Sequence, residues 1–138
     1  MDDGVSFAKL DLSSPDRFVG LRRELGVSTF GLNLMLLRPR QRGRIHRHTR
    51  QEEVYLVLEG TLTLLVEGTE HTLSKGELAR VAPSVRRQLV NAGPDLLAIL
   101  ALGGAEEHAG RDGEAFESWD DTSPRPPQEV PLPDDLPS

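Results

Sequence analysis

Short apolar runs separated by turn residues follow one another through residues 29–104 and constrain the fold more than any other feature. At least seven such runs occur, and glycine stands between them at Gly60, Gly68 and Gly76. Strands packed this densely, with few helical patterns between them, are typical of antiparallel sandwiches and barrels. The sequence therefore predicts an all-β region.

Two of these runs show which side chains share a face. Glu53, Tyr55 and Val57 alternate with other residues, so they point to the same side of a strand. The turn after this strand leads into the apolar run 61–66, which predicts a β-hairpin. Residues 29–38 are apolar on both faces, which predicts a strand covered on both sides or lying at a contact between two copies.

The flanks of this region have a different character. Residues 13–16 indicate a helix start, with serine at the cap and proline in the first turn, and Gly26 ends the helical pattern. Residues 114–119 predict a helical turn, and the prolines of residues 123–138 predict an extended, polyproline-like run. The expected parts are an extension with a short helix in residues 1–28, a barrel in residues 29–104 and an acidic, proline-rich segment in residues 105–138.

The charge is divided unevenly between these parts. The net charge of the 138 residues is −6; residues 1–104 carry 14 Lys and Arg against 12 Asp and Glu, whereas residues 105–138 carry 2 against 10. The acidic segment opposes the basic surface that nucleic acid requires, so we expect no such partner. The absence of cysteine excludes disulfides and thiolate chemistry. Without a signal peptide or a bilayer-length apolar run, we expect a cytoplasmic protein that does not enter a membrane.

A His-x-His pattern shortly before the strand of Glu53 is the strongest chemical signal. On an extended chain His46 and His48 point to one face, about 7 Å apart along it. A carboxylate from the next strand can reach the same point. Two neutral imidazoles and one carboxylate are a ligand set for Fe, Mn, Ni or Zn that leaves coordination positions open. We therefore predict a divalent transition metal bound by His46, His48 and Glu53.

These residues resemble a known family. Residues 46–60 follow the pattern His-x-His-x4-Glu-x6-Gly, which is similar to the first sequence box of the cupins, a family of small β-barrel proteins. Residues 76–91 are similar to the second box. The resemblance covers about residues 29–103, and it implies a cupin barrel and a homodimer.

Three positions depart from the family's pattern. Arg40 and Ser84 stand where the two boxes usually have glycine, and Arg87 stands where the fourth metal-binding histidine is expected. A guanidinium cannot ligate a metal because it stays protonated and has no free lone pair. Two outcomes remain open. Either Arg87 pairs with Glu53 and takes the place of the metal, or the metal is bound and Arg87 pairs with an anionic ligand, which the retained ligand residues favour.

Other polar residues extend the prediction. Arg44, together with Arg42, is expected near the mouth of the barrel as a ligand contact, and a solvated basic loop is the alternative. Tyr55 is a candidate for ligand binding or proton transfer, and a tyrosine of the barrel core is the alternative. His71 lies near a turn and is expected to be exposed rather than to be a fourth ligand.

The sequence thus predicts a cupin-type antiparallel β-barrel, or jelly roll, with a short N-terminal helix and a proline-rich acidic C-terminal segment. It favours binding of a divalent transition metal and a small anionic ligand in the barrel lumen, as in a metal-dependent oxygenase, isomerase or lyase. The alternative is a metal-free, non-catalytic binding protein in which Arg87 replaces the metal. The sequence does not separate an enzyme from a binding module, because no general base is evident.

Overall fold

A computed structural model describes residues 4–104 and 112–137. Within these ranges two five-stranded antiparallel sheets face each other without closing into a continuous ring, in the order β1-β2-β9-β4-β7 and β10-β3-β8-β5-β6. The elements are β1 Phe18–Gly20, α1 Leu21–Leu25, β2 Gly31–Leu37, β3 Ile45–His48, β4 Glu52–Glu59, β5 Leu62–Val66, β6 Thr69–Leu73, β7 Leu78–Val81, β8 Arg87–Val90, β9 Leu97–Gly104, β10 Gly113–Phe116 and a 3-10 helix at Pro127–Glu129. The all-β prediction is confirmed.

The main core lies between the two sheets. Tyr55 and Val57 of β4 are buried there against side chains from both sheets, such as Leu89 of β8 and Ile99 of β9. A second cluster lies on the outer face of the first sheet, where α1 packs on β2. Side chains of β2 therefore pack on both faces, as the sequence predicts, and each fully buried large side chain stabilises the fold by about 1.5–3 kcal/mol.

The N-terminal helix begins later than the sequence predicts. Phe18–Gly20 pair with β2 as strand β1, so the helix has only the five residues Leu21–Leu25 and ends at Gly26, whose φ of 76° is left-handed. The serine and acid signals upstream form a local turn, in which Asp11 accepts hydrogen bonds from Ser13. The helical prediction for Phe18 was wrong because the open edge of β2 offers its backbone a ladder of hydrogen bonds.

The predicted hairpin between β4 and β5 is also wrong. These strands are consecutive in the chain but lie in different sheets, and both edges of β4 are taken by β7 and β9. Gly60, with φ of 79°, turns the chain from one sheet to the other, and a Cβ there would collide with the carbonyl oxygen of Leu96. Glycine forms tight bends between two sheets as well as hairpin turns within one sheet. The residue type alone therefore does not distinguish the two connections.

The chain beyond residue 111 extends the second sheet. Gly113–Phe116 pair with β3 as strand β10, which corrects the predicted helical turn at these residues. Residues 124–137 form no regular element apart from one 3-10 turn and an isolated bridge between Arg125 and Ala115. They contact the loop before β3, where the N–H of Leu136 donates to the carbonyl oxygen of Arg40. The two sheets therefore include strands from outside residues 29–104. No helix in the described ranges is long and apolar enough to cross a bilayer.

Candidate metal centre

The candidate centre lies between the sheets, where β3 and β8 face β4. Nε2 of His46 and Nε2 of His48 lie 3.6 and 3.1 Å from Oε1 of Glu53. One ligand atom from each of these three residues lies within 4.8 Å of the other two. The structure therefore brings the three predicted ligands together, and the group could hold a metal ion.

Hydrogen bonds on the far side of each ring turn the Nε2 lone pairs toward this centre. Nδ1 of His46 donates to the carbonyl oxygen of Arg44 at 3.1 Å, and Nδ1 of His48 donates to Oδ1 of Asp112 at 2.8 Å. A carbonyl or a carboxylate oxygen can only accept, so in each neutral ring the hydrogen is on Nδ1 and Nε2 is an acceptor. Such a partner on the other ring nitrogen is the usual arrangement of metal-binding histidines.

The geometry fits a small divalent ion. Ligand atoms about 2.1 Å from a shared metal lie roughly 3.0–3.4 Å from each other in octahedral or tetrahedral arrangements. The distance from Nε2 of His48 to Oε1 of Glu53, 3.1 Å, lies in this range, and the distance from Nε2 of His46, 3.6 Å, exceeds it slightly. Nε2 of His48 is buried and has no hydrogen-bond partner among the described residues, although it lies close to Glu53. Burial lowers the pKa of His48, but Glu53 and Asp112 outweigh it and raise this pKa. A proton and a metal ion therefore compete for the space between Nε2 of His48 and Glu53.

Arg87 lies directly beside this group and is completely buried. Nη2 donates to Oε1 of Glu53 at 2.8 Å, and Nε donates to the hydroxyl of Tyr55 at 3.2 Å. Nη1 donates to three carbonyl oxygens of residues 82–85. This is the ion pair of the first predicted outcome, in which the guanidinium neutralises the carboxylate. Contact between Arg87 and a ligand stays a prediction, and it requires these bonds to be rearranged.

Tyr55 is held in the same network. Its hydroxyl donates to Oε1 of Glu53 at 2.5 Å, and only 1% of the residue is exposed. Burial and the neighbouring carboxylate raise the pKa of Tyr55 well above its usual value. Burial also raises the pKa of Glu53, but His46 and His48 outweigh it and hold this pKa well below its usual value. Glu53 is therefore ionised and Tyr55 protonated at neutral pH; proton transfer by Tyr55 stays a prediction.

The two arginines expected near the mouth contact the C-terminal segment. Nε of Arg44 donates to the carbonyl oxygen of Val130 at 2.6 Å, and Nε of Arg42 donates to that of Asp134 at 2.7 Å. A ligand contact by Arg44 stays a prediction. His71 lies exposed on β6, as expected, and does not belong to the group of possible metal ligands in the described part of the chain.

Asp112 is the residue at this centre that the sequence did not identify. Besides His48, its carboxylate accepts hydrogen bonds from the N–H groups of Arg50 and Gln51. Burial raises the pKa of Asp112, but these N–H groups and His48 outweigh it and lower the pKa. No pattern in the sequence links Asp112 to His48, because 64 residues separate them and only the pairing of β10 with β3 brings them together.

A family comparison agrees with this fold and this centre. The family model of the cupin domain matches residues 33–103, which is more than half of the chain. This chain belongs to the cupin family. No curated protein has a sequence that matches this cupin at a significant level.

Solved structures show the same fold. A sugar phosphate isomerase from a cupin superfamily, from Silicibacter pomeroyi DSS-3, is 25% identical over 91% of this cupin and 97% of its own chain, with a TM-score of 0.65. A cupin protein from Bacteroides fragilis is 21% identical over 76% of this chain and 86% of its own, with a TM-score of 0.66. A Cupin 2 conserved barrel domain protein from Salinispora arenicola CNS-205 is 19% identical over 72% and 87%, with a TM-score of 0.62. The last two likenesses show the fold alone.

Proposed function

We propose that this cupin binds a divalent transition metal through His46, His48 and Glu53, and that a small anionic molecule binds beside the metal. The observation that carries the proposal is the convergence of three ligand atoms, since Nε2 of His46 and Nε2 of His48 lie 3.6 and 3.1 Å from Oε1 of Glu53. Without a metal, hydrogen bonds between the imidazoles and the carboxylate hold this group together. A cation bound by the three atoms would take the place of the shared hydrogen and supply Lewis-acid chemistry to a ligand oxygen.

The charges around the centre support an anionic ligand. Glu53 and Arg87 form a neutral pair, so a bound divalent ion adds its positive charge within a few ångströms of a fixed guanidinium. Like charges at this distance repel strongly in a partly buried site. An anion bound to the open coordination positions relieves the repulsion, whether or not Arg87 itself contacts it.

The similarity to the isomerase from Silicibacter pomeroyi supports one substrate class above others. That protein is a sugar phosphate isomerase by name and is similar to this cupin over 91% of the chain. A sugar phosphate is a small anion whose hydroxyl and carbonyl oxygens suit a hard or borderline metal. Of the three reaction types, oxygenase, isomerase and lyase, we therefore propose isomerisation of a sugar phosphate as the first to test.

A second candidate function rests on the ion pair between Arg87 and Glu53. The guanidinium lies 2.8 Å from the same carboxylate oxygen that the metal would bind, and it has no exposed surface. In this alternative the arginine takes the metal's place, and the lumen binds a small molecule without turnover.

Metal analysis separates the two functions. Protein purified without chelator should contain close to one equivalent of transition metal, and His48→Ala or Glu53→Gln should lose it. His71→Ala is the matched control, because this exposed histidine lies outside the centre, and it should keep the metal. Metal-free wild-type protein that takes up no added Mn, Fe, Ni or Zn would support the alternative. Turnover of sugar phosphates by the metal-loaded protein then distinguishes an enzyme from a binding module.

A further inference from the structure

We propose that Asp112 is a positioning residue, which fixes the ring of His48 with Nε2 directed at the metal position. The inference rests on the proposed function and adds to it a residue outside the segment that matches the cupin family model, residues 33–103. Asp112 lies immediately before β10, in the C-terminal segment that the sequence predicts to lie outside the barrel.

Three hydrogen bonds hold the carboxylate of Asp112 in place. Oδ1 of Asp112 lies 2.8 Å from Nδ1 of His48, and Oδ2 accepts the N–H groups of Arg50 and Gln51, each at 2.8 Å. With both oxygens occupied and only 9% of the residue exposed, the carboxylate cannot rotate without breaking several hydrogen bonds. It therefore determines the tautomer and the orientation of the ring.

Asp112 also binds the loop that joins two of the proposed ligands. Residues 49–51 connect His48 on β3 to β4, which carries Glu53. The carbonyl oxygen of Asp112 accepts hydrogen bonds from N–H and Oγ1 of Thr49, at 3.0 and 2.9 Å. Because residues 50 and 51 also donate hydrogen bonds to Asp112, every residue of this loop is bound to it. The same aspartate thus also holds the spacing between the two ligands.

His46 provides an internal comparison. Its Nδ1 donates to a backbone carbonyl oxygen, that of Arg44, so its tautomer does not depend on a distant side chain. Removal of the Asp112 carboxylate should therefore affect His48 and leave His46 unchanged. A role in stability alone would not produce this difference between the two rings.

The test measures metal affinity and ring tautomer in Asp112→Asn and Asp112→Ala. Metal affinity is determined by chelator competition at one fixed neutral pH, and the tautomers are read from the ¹⁵N shifts of the imidazoles in metal-free protein. We expect affinity to fall by about 10- to 100-fold, with the larger loss in Asp112→Ala. We also expect His48 to become a mixture of tautomers while His46 keeps its own.

Glu114→Gln is the matched control. This acid lies two residues along the same segment and pairs with Arg47 rather than with a histidine, so affinity should stay within about twofold of the wild type. Wild-type affinity or an unchanged His48 tautomer in a folded Asp112→Ala protein would overturn the inference. If Asp112→Ala does not fold, the same two readings on Asp112→Asn decide. If the wild type binds no metal, the proposed function fails, but the tautomers still test the role of Asp112.

Discussion

Arg87 places a fixed positive charge beside the carboxylate that the proposed metal would also bind. A buried ion pair contributes little net stability compared with an apolar replacement, but removal of one partner leaves the other charge buried and unpaired. Because Arg87 is completely buried and Glu53 is ionised, each depends on the other when no metal is present. The stability of a variant without Arg87 therefore shows whether a second cation enters the centre.

Arg87→Met should lower the free energy of unfolding of metal-free protein by about 3–5 kcal/mol, because the Glu53 carboxylate loses its partner. With metal bound, the loss should be smaller, since the ion neutralises the same carboxylate. Urea unfolding of the metal-free and the metal-loaded variant measures both values.

An exposed ion pair between β7 and β4 supplies the control for this variant. Arg80 pairs with Glu52 on the surface, so Arg80→Met should change stability by less than about 1 kcal/mol. If added metal stabilises Arg87→Met but not the wild type, Arg87 occupies the metal's place and the alternative function is supported.

Arg40 has a backbone conformation that favours glycine. Its φ of 71° lies in the left-handed region, while its N–H and its carbonyl oxygen are both bonded to other backbone groups. Arg40→Gly should therefore raise the free energy of unfolding by about 0.5–1 kcal/mol, because relief of the Cβ clash exceeds the entropy that glycine loses. Arg38→Gly, at a neighbouring exposed position without positive φ, should instead destabilise; thermal unfolding of both variants checks this, and equal losses would contradict it.

Particular residues show how far the sequence could predict the centre. Alternation along β4 correctly placed Glu53 and Tyr55 on one face, because strand parity is a local property. The resemblance to the second sequence box placed Arg87 at the centre, and its pairing with Glu53 is one of the two outcomes that the sequence left open. The carbonyl oxygens that hold Arg87 and the carboxylate that holds His48 could not be predicted, because they depend on loop conformation and on the pairing of β10 with β3.

At the scale of elements, Arg86 joins the β5–β6 turn to the C-terminal segment. Its guanidinium pairs with Glu67 in the turn, lies over the rings of Phe116 and Trp119, and donates to the carbonyl oxygen of Trp119. Glu67 and Gly68 both have positive φ, which is typical of a two-residue hairpin turn. The sequence correctly predicted a turn here, but not that it would bind a segment about 50 residues further along.

The hydrogen bond from Arg86 lowers the pKa of Glu67, so the pair should make stability depend on pH. A carboxyl with a lowered pKa in the folded state stabilises fully above its unfolded pKa, near 4.5, and loses this effect as the pH falls. Glu67→Gln should cost about 0.5 kcal/mol at pH 7, a small value because the carboxylate is about half exposed. Urea unfolding between pH 7 and pH 3 should show the cost shrink as the pH falls below 4.5.

Glu70 provides the control for this prediction. It is exposed on the neighbouring strand β6 and has no ion-pair partner among the described residues. Glu70→Gln should leave stability within about 0.3 kcal/mol of the wild type across the same pH range. A cost for Glu67→Gln that is unchanged at pH 3 would contradict the assigned cause.

At the scale of the whole molecule, part of the outer face of the first sheet is apolar and uncovered. Leu34 and Leu36 on β2 are already buried under α1, so these two side chains are not available for a contact between copies. Leu78 on β7 and Phe30 before β2 remain 63% and 38% exposed. A shallow depression lies beside Phe30, lined also by Val54 and Leu102. Interfaces of homodimers are more apolar than the rest of a protein surface.

We propose that this face joins two copies into a homodimer. Leu78→Asp should convert the dimer to monomer, because a buried carboxylate without a partner is strongly unfavourable at an apolar contact. Leu132→Asp is the control, since Leu132 is 43% exposed but lies in the C-terminal segment, and it should stay dimeric. Light scattering coupled to gel filtration measures the mass, and a monomeric wild type would contradict the proposal.

The position of β9 between β2 and β4 has a consequence for biosynthesis. Neither of its neighbours can complete its hydrogen bonds until β9 is available, and β9 is followed by only one more strand in the described chain. A nascent chain leaving the ribosome therefore carries the edges of β2 and β4 that β9 later covers unpaired until Leu97–Gly104 have emerged. Chaperones that shield such edges should matter more for the yield of this protein than for one whose sheets form in the order of synthesis.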